Sequence, residues 1–256
     1  MNKRLTTLVA GLALGGSLVI AGAGSVAAVG AAGGPSGNGV CATQASASRT
    51  TPTVESLRAF GDCEIGRRLT TLGTLAGKVS GSKALTSSDA AALSSEISST
   101  VSGLNALKTT IDGETAIAAL KADVAKIATQ FRVYLVVVPQ VHLVSAADGV
   151  LATQAKFAQI NTNLSARIAK AKAAGKDVTA AQADLDAMNS QVSTAIGLAT
   201  GLPAKLLALT PAQYNAGTAG PVIASARTAL TTARNDVKAA VAKAQACRAA
   251  LKALGV

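Results

Sequence analysis

Few residues in this 256-residue chain could do chemistry, and they are widely spaced. His142 is the single histidine, and none of the three cysteines (Cys41, Cys63 and Cys247) has metal-ligand spacing to it or to another cysteine. Asp148 lies six residues beyond His142, so the two would not share one helix face. No nucleophile motif, phosphate loop or EF-hand pattern occurs. We therefore predict no catalytic, metal or cofactor-binding residue.

Composition predicts the elements that position these residues. Alanine fills 57 of the positions, aromatic residues are 2%, and tryptophan is absent. Alanine is the best helix former and is too small to hold a sheet together by bulk. We predict an all-α fold, an elongated antiparallel helical bundle with coiled-coil-like seams.

The N-terminus has the layout of a secretory signal. The segment "MNKRLTTLVAGLALGGSLVIAGAGSVAA" carries two positive charges, then none, and ends in small residues. We predict a signal peptide over residues 1–32. A Gly, Ser, Thr and Pro-rich stretch without apolar periodicity predicts a flexible linker over 33–53, followed by a helical bundle domain over 54–256. The alternative is an uncleaved membrane anchor from Leu5 to Val29.

In an exported protein, three cysteines predict one disulfide and one free thiol. We expect Cys63 in the first helix to pair with Cys247 in the last, which would join the two ends of the bundle. Such a loop of about 185 residues would add up to about 5 kcal/mol in the chain-entropy account. A Cys41–Cys63 pair is the alternative.

The run "FRVYLVVVPQVHLV", residues 131–144, is the most apolar outside the N-terminus. It is too short to cross a bilayer, which needs about 20 residues. Apolar positions from Leu120 to Val141 alternate steps of four and three, which predicts a helix. Pro139 lacks an N–H, so we expect a kink or break near it. The β-branched content leaves a short buried strand over 133–138 as the alternative.

Other local patterns predict helix ends and helix contacts. Thr86 to Ser88 with Asp89 predict a helix start, and the segment "LTPAQ" fits a capping box. Gly175 is placed for a left-handed cap. From Ile223 to Leu254, apolar residues and alanines repeat over more than four heptads, which predicts a seam for packing within the chain or between copies. A glycine stripe on the first helix predicts close contact with a partner helix, the alternative being a frayed first helix; the stripe consists of Gly66, Gly73, Gly77 and Gly81.

The chain is basic, with 24 lysines and arginines against 13 acidic residues. Outside a cell, a basic surface favours anionic wall polymers, lipid headgroups and other polyanions without choosing among them. With two tyrosines, base-stacking platforms are nearly absent, so we predict no specific nucleic-acid partner. A local cluster is the candidate polyanion contact, the alternative being a solvated helix face; it consists of Lys156, Arg167, Lys170, Lys172 and Lys176.

Several segments together resemble a group of exported, Ala-rich, all-helical proteins of Gram-positive bacteria, mainly actinobacteria. They include "LTSSDAAALSSEISSTVSGLNALKTTIDGET", "FRVYLVVVPQVHLVSAAD" and "SARTALTTARNDVKAA", and the resemblance covers about residues 60 to 252. It implies export and helical architecture, and it assigns no site residue.

The sequence thus predicts a non-enzymatic, secreted or envelope-associated helical protein with a structural or adhesive role through its basic surface. The first alternative is an extracellular carrier or sensor that binds a small apolar ligand near the kinked central helix. The second is an enzyme that uses His142.

Overall fold

The computed structural model describes residues 39–256, which form ten α-helices and one π-helical segment. No strand occurs in this part of the chain, so the all-α prediction is confirmed. The predicted signal peptide lies outside the described residues. The helices are α1 (Ala42–Thr50), α2 (Val54–Ser80), α3 (Ser87–Gly113), α4 (Ile117–Thr129), the π-helical segment (Val133–Val137), α5 (Val138–Leu151), α6 (Thr153–Ala173), α7 (Thr179–Ala199), α8 (Leu202–Leu207), α9 (Pro211–Asn215) and α10 (Ala219–Ala253).

The helices pack as two groups that α5 joins. In the N-terminal group, α2 packs against α1, α3 and α4. In the C-terminal group, α10 packs along α7, and α6 contacts both. Helix α5 contacts members of each group, and one continuous apolar core runs through the whole bundle.

The linker prediction is wrong for residues 42–50, which form α1. Cys41 precedes this helix and is bonded to Cys63 on α2. Helix α1 buries only Ser48, because its Ala, Ser and Thr residues offer no apolar stripe. The disulfide, rather than a hydrophobic face, is therefore the main link between α1 and α2.

Three predicted helix ends are confirmed. At the start of α3, the Thr86 hydroxyl accepts the backbone N–H of Asp89. At the start of α9, Thr210 and Gln213 each accept the other's backbone N–H through their side chains, which is the predicted capping box. After α6, Gly175 has φ +74°, the left-handed conformation that glycine adopts without steric cost.

The central apolar run is helical, but its break lies before Pro139. Helix α4 ends at Thr129, Arg132 has φ +43°, and the π-helical segment then leads directly into α5. Pro139 is the second residue of α5 and follows directly on the π-helical segment, where the Val138 N–H bonds to the Val133 oxygen; the proline, which lacks an N–H, thus lies beside an irregular turn of the helix. The chain therefore changes direction at Arg132, and the alternative of a strand over 133–138 is wrong.

Asn215, at the end of α9, holds this break in place. Its Nδ2 donates to the Thr129 carbonyl oxygen at 2.8 Å, at the end of α4, and its Oδ1 accepts from Arg132 Nε at 2.7 Å. The Arg132 guanidinium also lies 5.3 Å from the centroid of the Tyr214 ring. These contacts offset the cost of a left-handed, non-glycine residue.

The apolar run forms core between the two helix groups. Val133, Val136 and Val137 are each at most 1% exposed. The helical stretch Ile117–Ala173 includes a window long and apolar enough to cross a membrane by length and composition alone. More than half of that window is buried inside the protein, as in the core helix of a soluble bundle.

The spacing predicted for α10 matches its buried face. Large and small residues alternate along this face, and α5, α6 and α7 of the same chain pack against the helix. Alanine at every second or third position lets these helices approach closely. The buried seam residues are Ile223, Ala226, Leu230, Ala233, Val237, Ala240, Ala244, Cys247 and Leu251.

The glycine stripe of α2 does not contact a partner helix, so that prediction is wrong. A Cβ at Gly66, Gly73 or Gly77 would meet no atom within 4 Å. Close approaches occur at two other glycines. A Cβ at Gly61 of α2 would lie 3.3 Å from Cδ1 of Ile111, and a Cβ at Gly103 of α3 would lie 2.5 Å from Cε1 of Phe131.

Candidate functional site

The predicted Cys63–Cys247 disulfide is wrong, because Cys63 is bonded to Cys41. Cys63 lies on α2 in the N-terminal group, whereas Cys247 lies on α10 in the C-terminal group, where it is free and fully buried. Burial, together with the nearby Asp184 carboxylate, raises the pKa of the Cys247 thiol. This thiol therefore serves as a small apolar core group.

His142 is exposed on α5. Desolvation by surrounding atoms lowers the pKa of His142, and the positive charge of Lys78 lowers it further, so the imidazole is neutral at pH 7. Within residues 39–256, no group of three His, Cys, Asp or Glu side chains is placed to hold a metal ion.

The structure divides the predicted polyanion cluster into three parts. Lys170, Lys172 and Lys176 are exposed together where α6 ends and the chain turns into α7. Lys156 is also exposed but lies about 21 Å from Lys170 along α6, at 1.5 Å per residue. Arg167 is half-buried and donates from Nη2 to the backbone oxygen of Val256.

Helices α6 and α10 end side by side at this place. The Arg167–Val256 contact joins α6 to the chain end that follows α10. A second contact joins α10 to α7, where Lys243 Nζ lies 2.9 Å from Asp184 Oδ1. Lys252, in the last turn of α10, is exposed here. We call the four exposed lysines at this place, Lys170, Lys172, Lys176 and Lys252, the basic end.

Positive charge is concentrated in the C-terminal half of the described chain. Residues 39–132 carry ten lysines and arginines against eight acidic residues, whereas residues 133–256 carry twelve against five. Two of those five, Asp177 and Asp186, share a shallow groove at the basic end with Lys172 and Lys176. The excess positive charge nevertheless remains largest in this half.

A second charged cluster, on α2, was not predicted. Glu64 accepts from Arg67 at 2.7 Å and from Arg68, and both guanidinium groups lie over the Tyr134 ring. The distances to the ring centroid are 4.6 Å for Arg67 and 5.3 Å for Arg68. The i, i+3 and i+4 spacing of the three charged residues is visible in the sequence, but their contact with Tyr134 of the π-helical segment depends on the fold. We call these four side chains the arginine–tyrosine cluster.

This cluster holds more positive charge than its one carboxylate neutralises. Burial raises the pKa of Glu64, but the hydrogen bonds from Arg67 and Arg68 outweigh it, and the net result is a lowered pKa. Glu64 is therefore ionised at neutral pH and the cluster carries one net positive charge. The Nε–H groups of Arg67 and Arg68 are buried and have no hydrogen-bond acceptor.

Asp148 is a third polar feature, buried between α5 and the start of α3. It is 2% exposed, and its Oδ2 accepts the Thr86 N–H at 2.9 Å while its Oδ1 has no partner. Burial raises the pKa of Asp148, the Thr86 hydrogen bond opposes this, and the neighbouring Asp89 carboxylate raises it further. The folded protein therefore holds a proton at Asp148 more tightly than the unfolded chain does.

The substitution Asp148→Asn should stabilise the protein at neutral pH by about 1 kcal/mol. The amide keeps an acceptor for Thr86, can donate to Asp89 and carries no buried charge. Because the folded-state pKa of Asp148 is raised, wild-type stability from this group is fully present below the unfolded pKa and is lost as pH rises through the folded pKa. Urea unfolding at pH 7.5 and pH 4 measures the difference between the two proteins.

The advantage of the asparagine variant should shrink as the pH is lowered, because the raised pKa of Asp148 favours its protonated form, which resembles the amide. Carboxylates remote from position 148 are common to both proteins, so their effects cancel in the comparison, whereas the repulsion between Asp89 and Asp148 is part of the difference. An advantage that stays constant with pH, or a less stable variant at pH 7.5, would contradict this account.

Comparison with known proteins adds no relative: no family model, no curated protein and no solved structure matches the chain.

Proposed function

We propose that this protein is a non-enzymatic, exported helical bundle that binds polyanionic cell-envelope material through the C-terminal half of its surface. The observation that carries the proposal is the charge distribution, with twelve basic against five acidic residues in residues 133–256 and four exposed lysines at the basic end. Concentrated positive charge raises the local concentration of anionic polymers. The Cys41–Cys63 disulfide supports export, because such bonds persist in oxidising compartments.

The helical core supports a structural or adhesive role. A rigid bundle with exposed lysines at one end can hold a flexible polymer by many weak contacts, each of which releases a bound counterion. Binding of this kind is strongly dependent on salt and only weakly dependent on polymer sequence or stereochemistry. Wall polymers with phosphate groups and anionic lipid headgroups are the partners that this chemistry favours.

Replacement of Lys170, Lys172 and Lys176 by glutamine should weaken binding to a polyglycerol phosphate polymer and flatten its salt dependence. At roughly 0.7 units for each phosphate contact with a flexible chain, the slope of log K against log salt should fall by about 2. Titrations at several salt concentrations, followed by fluorescence anisotropy of labelled polymer, measure both quantities.

The matched control replaces Lys78, Lys83 and Lys126 by glutamine. These lysines are exposed on the N-terminal group, and their replacement gives the same change in net charge. It should leave the slope nearly unchanged. Equal loss of binding in both variants would show that net charge alone matters, and no binding by wild type at low salt would refute the proposal.

A further inference from the structure

A cavity of about 250 Å³ opens between α2 and α4, beside the arginine–tyrosine cluster. Its apolar wall includes Phe60, Val124 and Ala128. Its polar side groups are Glu64 and Arg68 of the cluster and Lys121 of α4. One region of the cavity is therefore apolar and another carries excess positive charge.

The charge balance indicates the sign of a ligand. Arg67, Arg68 and Glu64 together leave one positive charge, and Lys121 adds a second, exposed one. Arg68 is 7% exposed, and its Nε–H is buried without an acceptor. A buried guanidinium with an unused donor is costly unless an anion completes its hydrogen bonds. One carboxylate bound where Arg68 lines the cavity would neutralise the net charge of the cluster.

The size of the cavity limits the rest of the ligand. At about 30 Å³ for each water-sized volume, it accommodates a molecule of roughly eight to ten non-hydrogen atoms. The wall of Phe60, Val124 and Ala128 suits a short hydrocarbon chain or one aromatic ring. Benzoate and hexanoate have this size and this division between polar and apolar parts.

We propose that the cavity between α2 and α4 binds a small carboxylate with an apolar body, the carboxylate at Arg68 and Lys121 and the body against Phe60 and Val124. This site is separate from the basic end and does not depend on polyanion binding. It names a ligand class for the carrier or sensor alternative. Tyr134 of the π-helical segment contacts Arg68, so the cavity is linked to the central helix near which that alternative places its ligand.

Benzoate and its uncharged isostere benzamide test the proposal on the full chain. In ¹H–¹⁵N NMR titrations, benzoate should shift signals of residues 60–68 and 121–128 in a saturable way. Benzamide should bind at least about tenfold more weakly, since it lacks the charge that Arg68 and Lys121 would pair with. Equal binding of the two compounds, or benzoate shifts confined to the basic end, would overturn the proposal.

Two alanines on α4 provide a matched pair of variants. Ala128 lines the cavity and Ala122 does not, and both are exposed, so leucine at either position should leave the fold intact. Ala128→Leu should weaken benzoate binding at least tenfold by filling the cavity, and Ala122→Leu should leave it unchanged. Lys121→Met should weaken benzoate binding and leave benzamide binding unaltered. Equal binding by the two leucine variants would refute the assignment.

Discussion

Serine at both Cys41 and Cys63 should lower the free energy of unfolding by about 3 kcal/mol relative to the oxidised protein. The bond joins residues 22 positions apart, and the chain-entropy account gives about this value for a loop of that length. Helix α1 should also detach in the variant, because it buries only Ser48. Urea unfolding measures the first effect, and amide hydrogen exchange of residues 42–50 measures the second.

Reduced wild-type protein is the control for this variant. It should match the serine protein in stability and in the exchange rates of α1, since both lack the bond. A peptide map without reductant should recover Cys41 with Cys63, and Cys247 should react with an alkylating reagent only after unfolding. A recovered Cys63–Cys247 peptide would contradict the structure and restore the pairing first expected.

The second large effect is expected at Gly103, where alanine should destabilise the protein by about 1–3 kcal/mol. A Cβ at this position would lie 2.5 Å from Cε1 of Phe131, so the ring must move. Phe131 precedes Arg132, at the point where the chain leaves α4, and the Asn215 contacts restrict that movement. Thermal and urea unfolding of Gly103→Ala measure the loss.

Gly66→Ala is the matched control, because Gly66 is also inside a helix but a Cβ there meets no atom within 4 Å. Alanine improves helix propensity by about 1 kcal/mol, so this variant should be more stable than wild type. Opposite signs for the two substitutions would confirm that the contact with Phe131 matters. Stabilisation by both would show that Phe131 moves at little cost.

Features of this fold that depend on neighbouring residues could be predicted from the sequence. Thr86 and the Thr210–Gln213 capping box start helices, and Gly175 ends one, because their hydrogen bonds close within five residues. The face of α10 was also predictable, since its repeat is long enough to define one buried side.

Features that depend on distant residues could not be predicted in this way. The apolar spacing continues past Arg132, and no local pattern indicates that Asn215, 83 residues later, holds a break there. Helix α1 resembled a linker because a disulfide holds it in place of an apolar face. Gly66, Gly73 and Gly77 of α2 face solvent, and spacing alone could not show this, because it identifies a stripe of small residues but not what lies beside it.

The candidate sites likewise include groups that are close in sequence and groups that only the fold brings together. The three lysines at the end of α6 lie together because they are close in sequence, whereas Arg167 is engaged by the far end of the chain. The arginine–tyrosine cluster combines α2 with the π-helical segment, and the cavity combines α2 with α4. Neither combination follows from local spacing.

The order of the cysteines along the chain has a consequence for biosynthesis. A growing chain emerges N-terminus first, so Cys41 and Cys63 become available to each other while Cys247 still lies about 180 residues behind. At roughly 5–20 residues per second, that interval lasts about 10–40 seconds. Disulfides can form on this timescale when an oxidant is present. The only thiol able to compete for Cys63 thus emerges last, and it then becomes inaccessible as α10 packs along α7.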